Sequence, residues 1–139
     1  MARDYQDLAE FRFQLRRFLH FSEIQAREHD LEPQQHQALL ALKGLPAGAR
    51  PTIGELAHRL VLRHHTAVEL TNRLEAAGFV KRRPDPEDGR QILIHLTPQG
   101  LAKLRSLSLA HRAELGVKGP ELARALRIIL RGSRRAHAA

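Results

Sequence analysis

The sequence predicts a mainly α-helical fold with one small β-hairpin, and three observations lead there. Apolar residues recur at helical spacing through both ends of the chain. Two short helical stretches stand almost back to back near the middle, separated only by a turn. Directly after them, an alternating apolar–polar segment follows a turn rich in Pro, Asp and Gly. At 139 residues the chain holds one domain with a real core. Its 42% hydrophobic and 27% charged residues are ordinary for a globular protein rather than a disordered one.

From Asp4 to about Asp30 the pattern is helical, because Leu8, Phe11, Leu15 and Phe18 recur every three or four residues and Leu19, Phe21 and Ile24 widen the stripe. This helix carries more apolar face than one small domain usually buries. Pro33 suits the first turn of a second helix that turns Ala38, Leu39 and Leu42 inward. Gly44, Pro46, Gly48 and Pro51 then form a loop. Thr52-Ile-Gly-Glu55 has the form of a capping box opening a short helix that ends near Leu60. After a turn at Val61-Leu62, a further helix runs from about His64 to Ala77 and stops at Gly78, with Leu70 and Leu74 on its buried face. Two short helices so closely spaced read as a helix-turn-helix.

Phe79–Arg83 and Arg90–Leu96 are the expected strands, the second setting Ile92, Ile94 and Leu96 against Gln91, Leu93 and His95. Pro84-Asp-Pro-Glu-Asp-Gly89 turns between them. After Thr97, Pro98 opens a helix with Leu101, Leu104 and Leu107 (or Leu109) on one side. Gly116 and Gly119 are expected to interrupt it before a last helix from Pro120 to Leu130. The Ala-rich, basic tail from Arg131 onward is expected to fray.

Helix, helix, charged hairpin is the order of a winged helix-turn-helix, in which the second short helix enters the major groove of DNA and the hairpin reaches the adjacent minor groove or backbone. The exposed set on that helix is His64, His65, Thr66, Glu69, Asn72 and Arg73, with Arg63 just before it. Asn pairs with adenine, Arg with guanine or phosphate, Glu with cytosine N4, and Thr with phosphate or the thymine methyl. Taken singly, each is also what a solvated helix face looks like; their shared place on this helix favours DNA. Lys81, Arg82, Arg83 and Arg90 flank the hairpin turn, whose shape rests on Asp85, Asp88 and Gly89. Arg90 has two compatible readings: it enters a narrow minor groove, or it pairs with Asp85 or Asp88 and pins the turn. The chain carries 23 Lys and Arg against 15 Asp and Glu, a formal charge of +8 that suits a polyanionic partner. From His58 to Arg90 the balance is only seven against five, so affinity must come from placement and from two copies rather than from a dense basic patch.

The run Leu60 to Arg82 (LVLRHHTAVELTNRLEAAGFVKR) resembles the recognition helix and first wing strand of the MarR family. Asp85 to Arg90 (DPEDGR) is similar to its wing tip, and Leu96 to Gly100 (LTPQG) to the start of its next helix. The detailed similarity covers roughly Pro33 to Gly100, with Arg63 standing where the family often has a small capping residue. The resemblance implies a homodimer organised as an N-terminal dimerisation helix (1–32), a winged-helix lobe (33–100) and C-terminal helices (101–139), one continuous domain overall. Leu8, Phe11, Leu15, Phe18, Leu122, Leu126 and Ile129 would form the interface. It further implies a repressor on a pseudo-palindromic operator, with recognition helices ~34 Å apart, and release by a small-molecule effector. By the same resemblance, an effector pocket would be approached by Phe13, Arg17, His20 and His36.

Other classes fare worse. The absence of cysteine removes disulfides, thiol redox sensing and thiolate metal sites, and with them the peroxide-sensing branch of the family. The nine histidines offer no compact ligand spacing with an acidic partner, so no metal is expected. No nucleophile elbow, phosphate loop or paired carboxylates in an apolar setting point to an enzyme, and no cofactor is expected. The charged start and the lack of an apolar run of ~18 residues lead to an expected cytoplasmic location without membrane contact. The remaining alternatives are an architectural or weakly specific DNA-binding protein using the tail arginines Arg131, Arg134 and Arg135 and, ranking below it, a metal-sensing regulator.

Overall fold

The computed structural model describes residues 1–138. The chain forms α1 (Ala2–Glu28), α2 (Pro33–Lys43), α3 (Ile53–Leu60), α4 (His64–Ala76), β1 (Val80–Pro84), β2 (Ile92–Leu96) and α5 (Pro98–Ala138). It divides into two units: Ala26–Leu107, and the pair of segments Met1–Gln25 and Ser108–Ala139.

The unit Ala26–Leu107 is the winged helix. Its core brings together Leu39 of α2, Leu56 of α3, Leu70 and Leu74 of α4, Val80 of β1, Ile94 of β2 and Leu107, all at most 1% exposed. Burying one such side chain stabilises by roughly 1.5–3 kcal/mol, so this cluster is what fixes α4 against the hairpin. Leu107 therefore takes the inward place left open between it and Leu109, which is 67% exposed. Entry to α2 is set by Pro33 in its first turn and by the Gln35 side chain, which accepts the Glu32 amide N–H at 2.9 Å. At α3 the expected reciprocal box is half made. Thr52 Oγ1 accepts the Glu55 amide at 3.1 Å, but the Glu55 carboxylate binds Arg59 one turn on, at 3.0 Å. A nearby guanidinium outcompetes a backbone amide for the carboxylate. The turn between α3 and α4 passes through Val61 in the left-handed region (φ 54°), and the Leu62 amide reaches back to the Ala57 carbonyl at 2.9 Å.

The strands pair antiparallel from Val80 opposite Leu96 to Pro84 opposite Ile92. Each begins later than expected from the sequence, β1 by one residue and β2 by two. The simple two-faced alternation also fails in β2, because Leu93 and Ile94 are both buried while Ile92 is 42% exposed. The hairpin is joined to the α3 entry loop by one backbone bond, from the Ile94 amide to the Pro51 carbonyl at 2.8 Å. At its other end Thr97 ties three pieces together. Its amide donates to the Phe79 carbonyl, its hydroxyl donates to the Gly78 carbonyl at 2.6 Å, and its oxygen accepts the Gly100 amide at 3.1 Å. Gly100 is required here, since a Cβ would lie 2.1 Å from the Phe79 carbonyl oxygen. That explains the Leu96–Gly100 motif physically.

The largest departure from the sequence reading is α5, one helix of 41 residues where a break at Gly116 and Gly119 was expected. Neither glycine leaves the helical region, and Pro120 lies inside the helix. An internal proline costs a backbone bond and crowds the residue before it. Here that residue is Gly119, which has no Cβ to be crowded. The tail likewise continues as helix to Ala138 instead of fraying at Arg131; Ala139 lies outside the described residues.

In the second unit, Arg17 pairs with Glu121 at 3.8 Å. His111 Nε2 sits 2.8 Å from Ser22 Oγ, with its ring edge-on to Phe18 and Phe21 at centroid distances of 6.0 and 5.5 Å. Only Gln14, Ser22 and Ala125 are buried among its described residues.

Candidate nucleic-acid interface

Helix α4 buries Ala67, Leu70, Thr71 and Leu74. The Thr71 hydroxyl is spent on the Ala67 carbonyl at 2.7 Å, so it takes no part in the outer face. That outer face presents His64, His65, Glu69, Asn72 and Arg73, all exposed, with Thr66 half-buried. Arg63 occupies the N-cap position and makes no side-chain cap. The polar residues singled out on this helix thus share one solvent-facing surface beside a packed leucine seam.

The wing shows which of its cations are free and which are held. Val80 and Arg82 occupy one face of β1, and Lys81 and Arg83 the other. Arg82 faces α4. Its amide donates to Glu75 Oε2 at 3.0 Å, its Nη1 to Glu75 Oε1 at 2.9 Å, and its Nη2 to Asn72 Oδ1 at 2.6 Å. The Arg82 amide holds the Glu75 carboxyl below the ordinary carboxylate value; desolvation opposes this, and the Arg82 guanidinium lowers it further. Arg73 leans toward Glu32 at 3.3 Å. Lys81, Arg83 and Arg90 are exposed and have no ion-pair partner among the described residues.

The tip is built on Asp85 and Asp88 as the sequence suggested, but with different partners. Asp85 is buried at 2% exposure, and its amide donates to the Gln91 carbonyl at 2.9 Å. Its carboxylate accepts the Glu87 amide at 2.9 Å and is ion-paired with Arg50, not with Arg90. Arg50 also holds Glu87, at 2.9 Å. Asp88 meets Arg90 only through the backbone, its Oδ1 accepting the Arg90 amide at 3.1 Å. The Arg90 side chain is consequently left outside the turn. Gly89 is exposed and has open space around its α-carbon.

Arg50, Glu75 and Glu32 were not among the residues picked from the sequence. Their partners lie 35, 7 and 41 positions away, distances at which no helical or strand periodicity signals a pair. Only Glu75, preceding a hairpin cation by seven residues, left any local hint.

The residues expected at a dimer interface lie in helices α1 and α5. Leu8 and Leu126 are 51% and 42% exposed, while Phe11, Leu15, Phe18, Leu122 and Ile129 are half-buried. Of the residues expected near an effector, Phe13 is 51% exposed with the Arg17 guanidinium 5.5 Å above its ring, and His20 is exposed. His36 is 2% exposed on α2. Among the described residues, no three His, Asp or Glu side chains are grouped to hold a metal ion, and no helix is long and apolar enough to cross a membrane.

Residues 29–91 match a family model described as MarR family. The chain is 39% identical over 75 residues to the HTH-type transcriptional regulator TtmR of Methylorubrum extorquens strain PA1, covering 52% of this chain and 35% of that one. It spans about a third of the length of the curated relatives it matches. Among solved structures, it is similar to a MarR family transcription regulator with a TM-score of 0.74 at 23% identity, covering 96% of this chain and 90% of that one. It is also similar to a mutant MarR from E. coli complexed with operator DNA, with a TM-score of 0.66 at 22% identity and coverage of 88% and 89%. These likenesses establish the winged-helix fold.

Proposed function

We propose that the protein, whose residues 29–91 match the MarR family model, is a transcriptional regulator that binds a specific site on double-stranded DNA as a homodimer. Helix α4 lies in the major groove and the wing meets the neighbouring minor groove or backbone. The observation that carries this reading is the division of labour on α4 and the wing. Every large apolar side chain of α4 except half-buried Val68 is buried, and what remains outward is a set of hydrogen-bonding groups flanked by the unpaired cations Lys81, Arg83 and Arg90. That is the distribution groove recognition requires. The second copy is supported by the apolar surface left on the terminal helices, including Tyr5, Leu8, Phe13, Leu109, Leu115 and Leu126. Action as a repressor on a pseudo-palindrome, with release by a small molecule, completes the proposal and rests on the family resemblance. The exposed Arg131, Arg134 and Arg135 at the end of α5 favour a second reading, architectural binding that follows phosphates.

Selection of fragmented genomic DNA on the full chain separates the two. Recovery of an inverted repeat, bound far more tightly than random duplex at two salt concentrations, supports the specific dimeric regulator. Recovery of no motif, with affinity collapsing as salt rises, favours the architectural protein.

A further inference from the structure

We propose that Arg82 is a specificity-determining positioning residue: by holding the oxygen of the Asn72 amide, it makes Asn72 offer the groove donors only, and so select guanine over adenine. The inference deepens the DNA-binding reading and rests on it.

The chemistry begins with the guanidinium, which has five N–H donors and no acceptor. The Asn72 atom 2.6 Å from Arg82 Nη2 must therefore be the carbonyl oxygen, which leaves the NH2 at the other end of the amide. Arg82 is itself unable to turn freely. Its Nη1 is held by Glu75 Oε1 at 2.9 Å, and its backbone amide donates to Glu75 Oε2 at 3.0 Å. Asn72 and Glu75 are three residues apart on α4, so both project toward the same stretch of the wing. The result is a relay from Glu75 to Arg82 to Asn72 whose last member is exposed on the proposed recognition face.

Asparagine reads adenine by using both ends of its amide at once, the oxygen accepting from N6–H2 and the nitrogen donating to N7. That pairing needs both atoms side by side on the base edge. Here the oxygen is turned to the wing, with a guanidinium beside it that also repels the adenine amino donor. Guanine presents acceptors at both O6 and N7, which suits an amide nitrogen alone. The Asn–adenine pairing expected from the sequence is thereby disfavoured, and Arg82 acts through Asn72 rather than as a phosphate contact.

The test is selection from a randomised duplex pool using the full chain and three variants, each checked for a native circular dichroism spectrum. Asn72→Ala identifies the base pair read by Asn72 as the position where preference disappears. At that pair the native protein prefers guanine. Arg82→Ala is expected to shift the guanine-to-adenine ratio toward adenine by about tenfold, the scale of one bidentate contact, with other positions unchanged. Glu75→Gln, which keeps Arg82 but loosens its anchor, shifts the same ratio in the same direction by less, and it carries the test if Arg82→Ala misfolds. A uniform affinity loss with the ratio unmoved overturns the proposal and makes Arg82 a phosphate contact. No altered position for Asn72→Ala also overturns it, while a native inverted repeat still upholds the regulator. Failure of the native chain to select any motif removes both.

Discussion

The winged-helix unit and the terminal-helix unit handle apolar residues in opposite ways. Between Ala26 and Leu107, leucines from α2, α3, α4 and α5 close on Val80 of β1 and Ile94 of β2, with Leu39, Leu70, Leu74 and Leu107 fully excluded from solvent. In the segments Met1–Gln25 and Ser108–Ala139, the buried residues among those described are two polar side chains and one alanine, while Tyr5, Leu8, Phe13, Leu19, Leu115, Val117 and Leu130 remain at least 40% exposed. The first unit completes its core within one chain. The second leaves apolar residues uncovered, which supports the proposal that these helices finish their packing on a second copy. Under the proposed function, stability and recognition of DNA reside in one region, and assembly in the other.

The comparison breaks most sharply in the core. Leu74→Ala should lower unfolding free energy by about 2–5 kcal/mol, as for other fully buried leucines, measured by urea titration; a loss under ~0.5 kcal/mol, the surface range, would mean that the wing unit is not the cooperative core. In the terminal unit Leu126→Asp should leave the circular dichroism spectrum native and shift sedimentation from dimer to monomer at micromolar concentration. A dimer unchanged by that charge would move the interface elsewhere.

Arg50→Ala should cost about 1–3 kcal/mol, because the Asp85 carboxylate stays buried without its cation. It should also weaken DNA binding by loosening the wing; normal stability would show that water replaces Arg50. Arg90→Ala, at a side chain outside the core, should leave stability within ~0.5 kcal/mol. It should lower affinity about tenfold, about 1.4 kcal/mol, with the salt slope of the homodimer reduced by about two, one for each copy. Unchanged affinity at moderate salt would remove Arg90 from the interface.

The smallest effect is the pH dependence of the Glu75–Arg82 pair. Because the Glu75 carboxyl is held below its ordinary value in the folded chain, its contribution is fully present above the unfolded-state value of about 4.3. It fades as pH falls through the lowered folded value. The Tm difference between the native protein and Glu75→Gln should therefore exist at neutral pH and vanish in acid; a difference that grows in acid would contradict the pairing.

The order of elements, the core positions of α2 and α4, and the polar set on α4 were legible from the sequence because each is a local pattern. Leu70 and Leu74 are four apart, Pro33 suits a first turn, and Gly78 (φ 83°) allows the left-handed step that ends α4. A glycine pair before a proline is equally local, yet it misled at α5. Gly119 has no Cβ for Pro120 to crowd, which eases the proline into the helix, and the neighbouring helix turns supply the remaining bonds. Partner choice was not legible at all. A carboxylate such as Glu55 has several cations within its reach along the chain, and Asp85 lies beside Arg90 in sequence but under Arg50 in space. Sequence therefore determined which groups this protein has and on which faces they stand, since backbone periodicity follows from residues a few positions apart. Only the tertiary structure decided which charges are spent internally and which are left facing solvent, because an ion pair depends on three-dimensional approach and desolvation rather than on spacing.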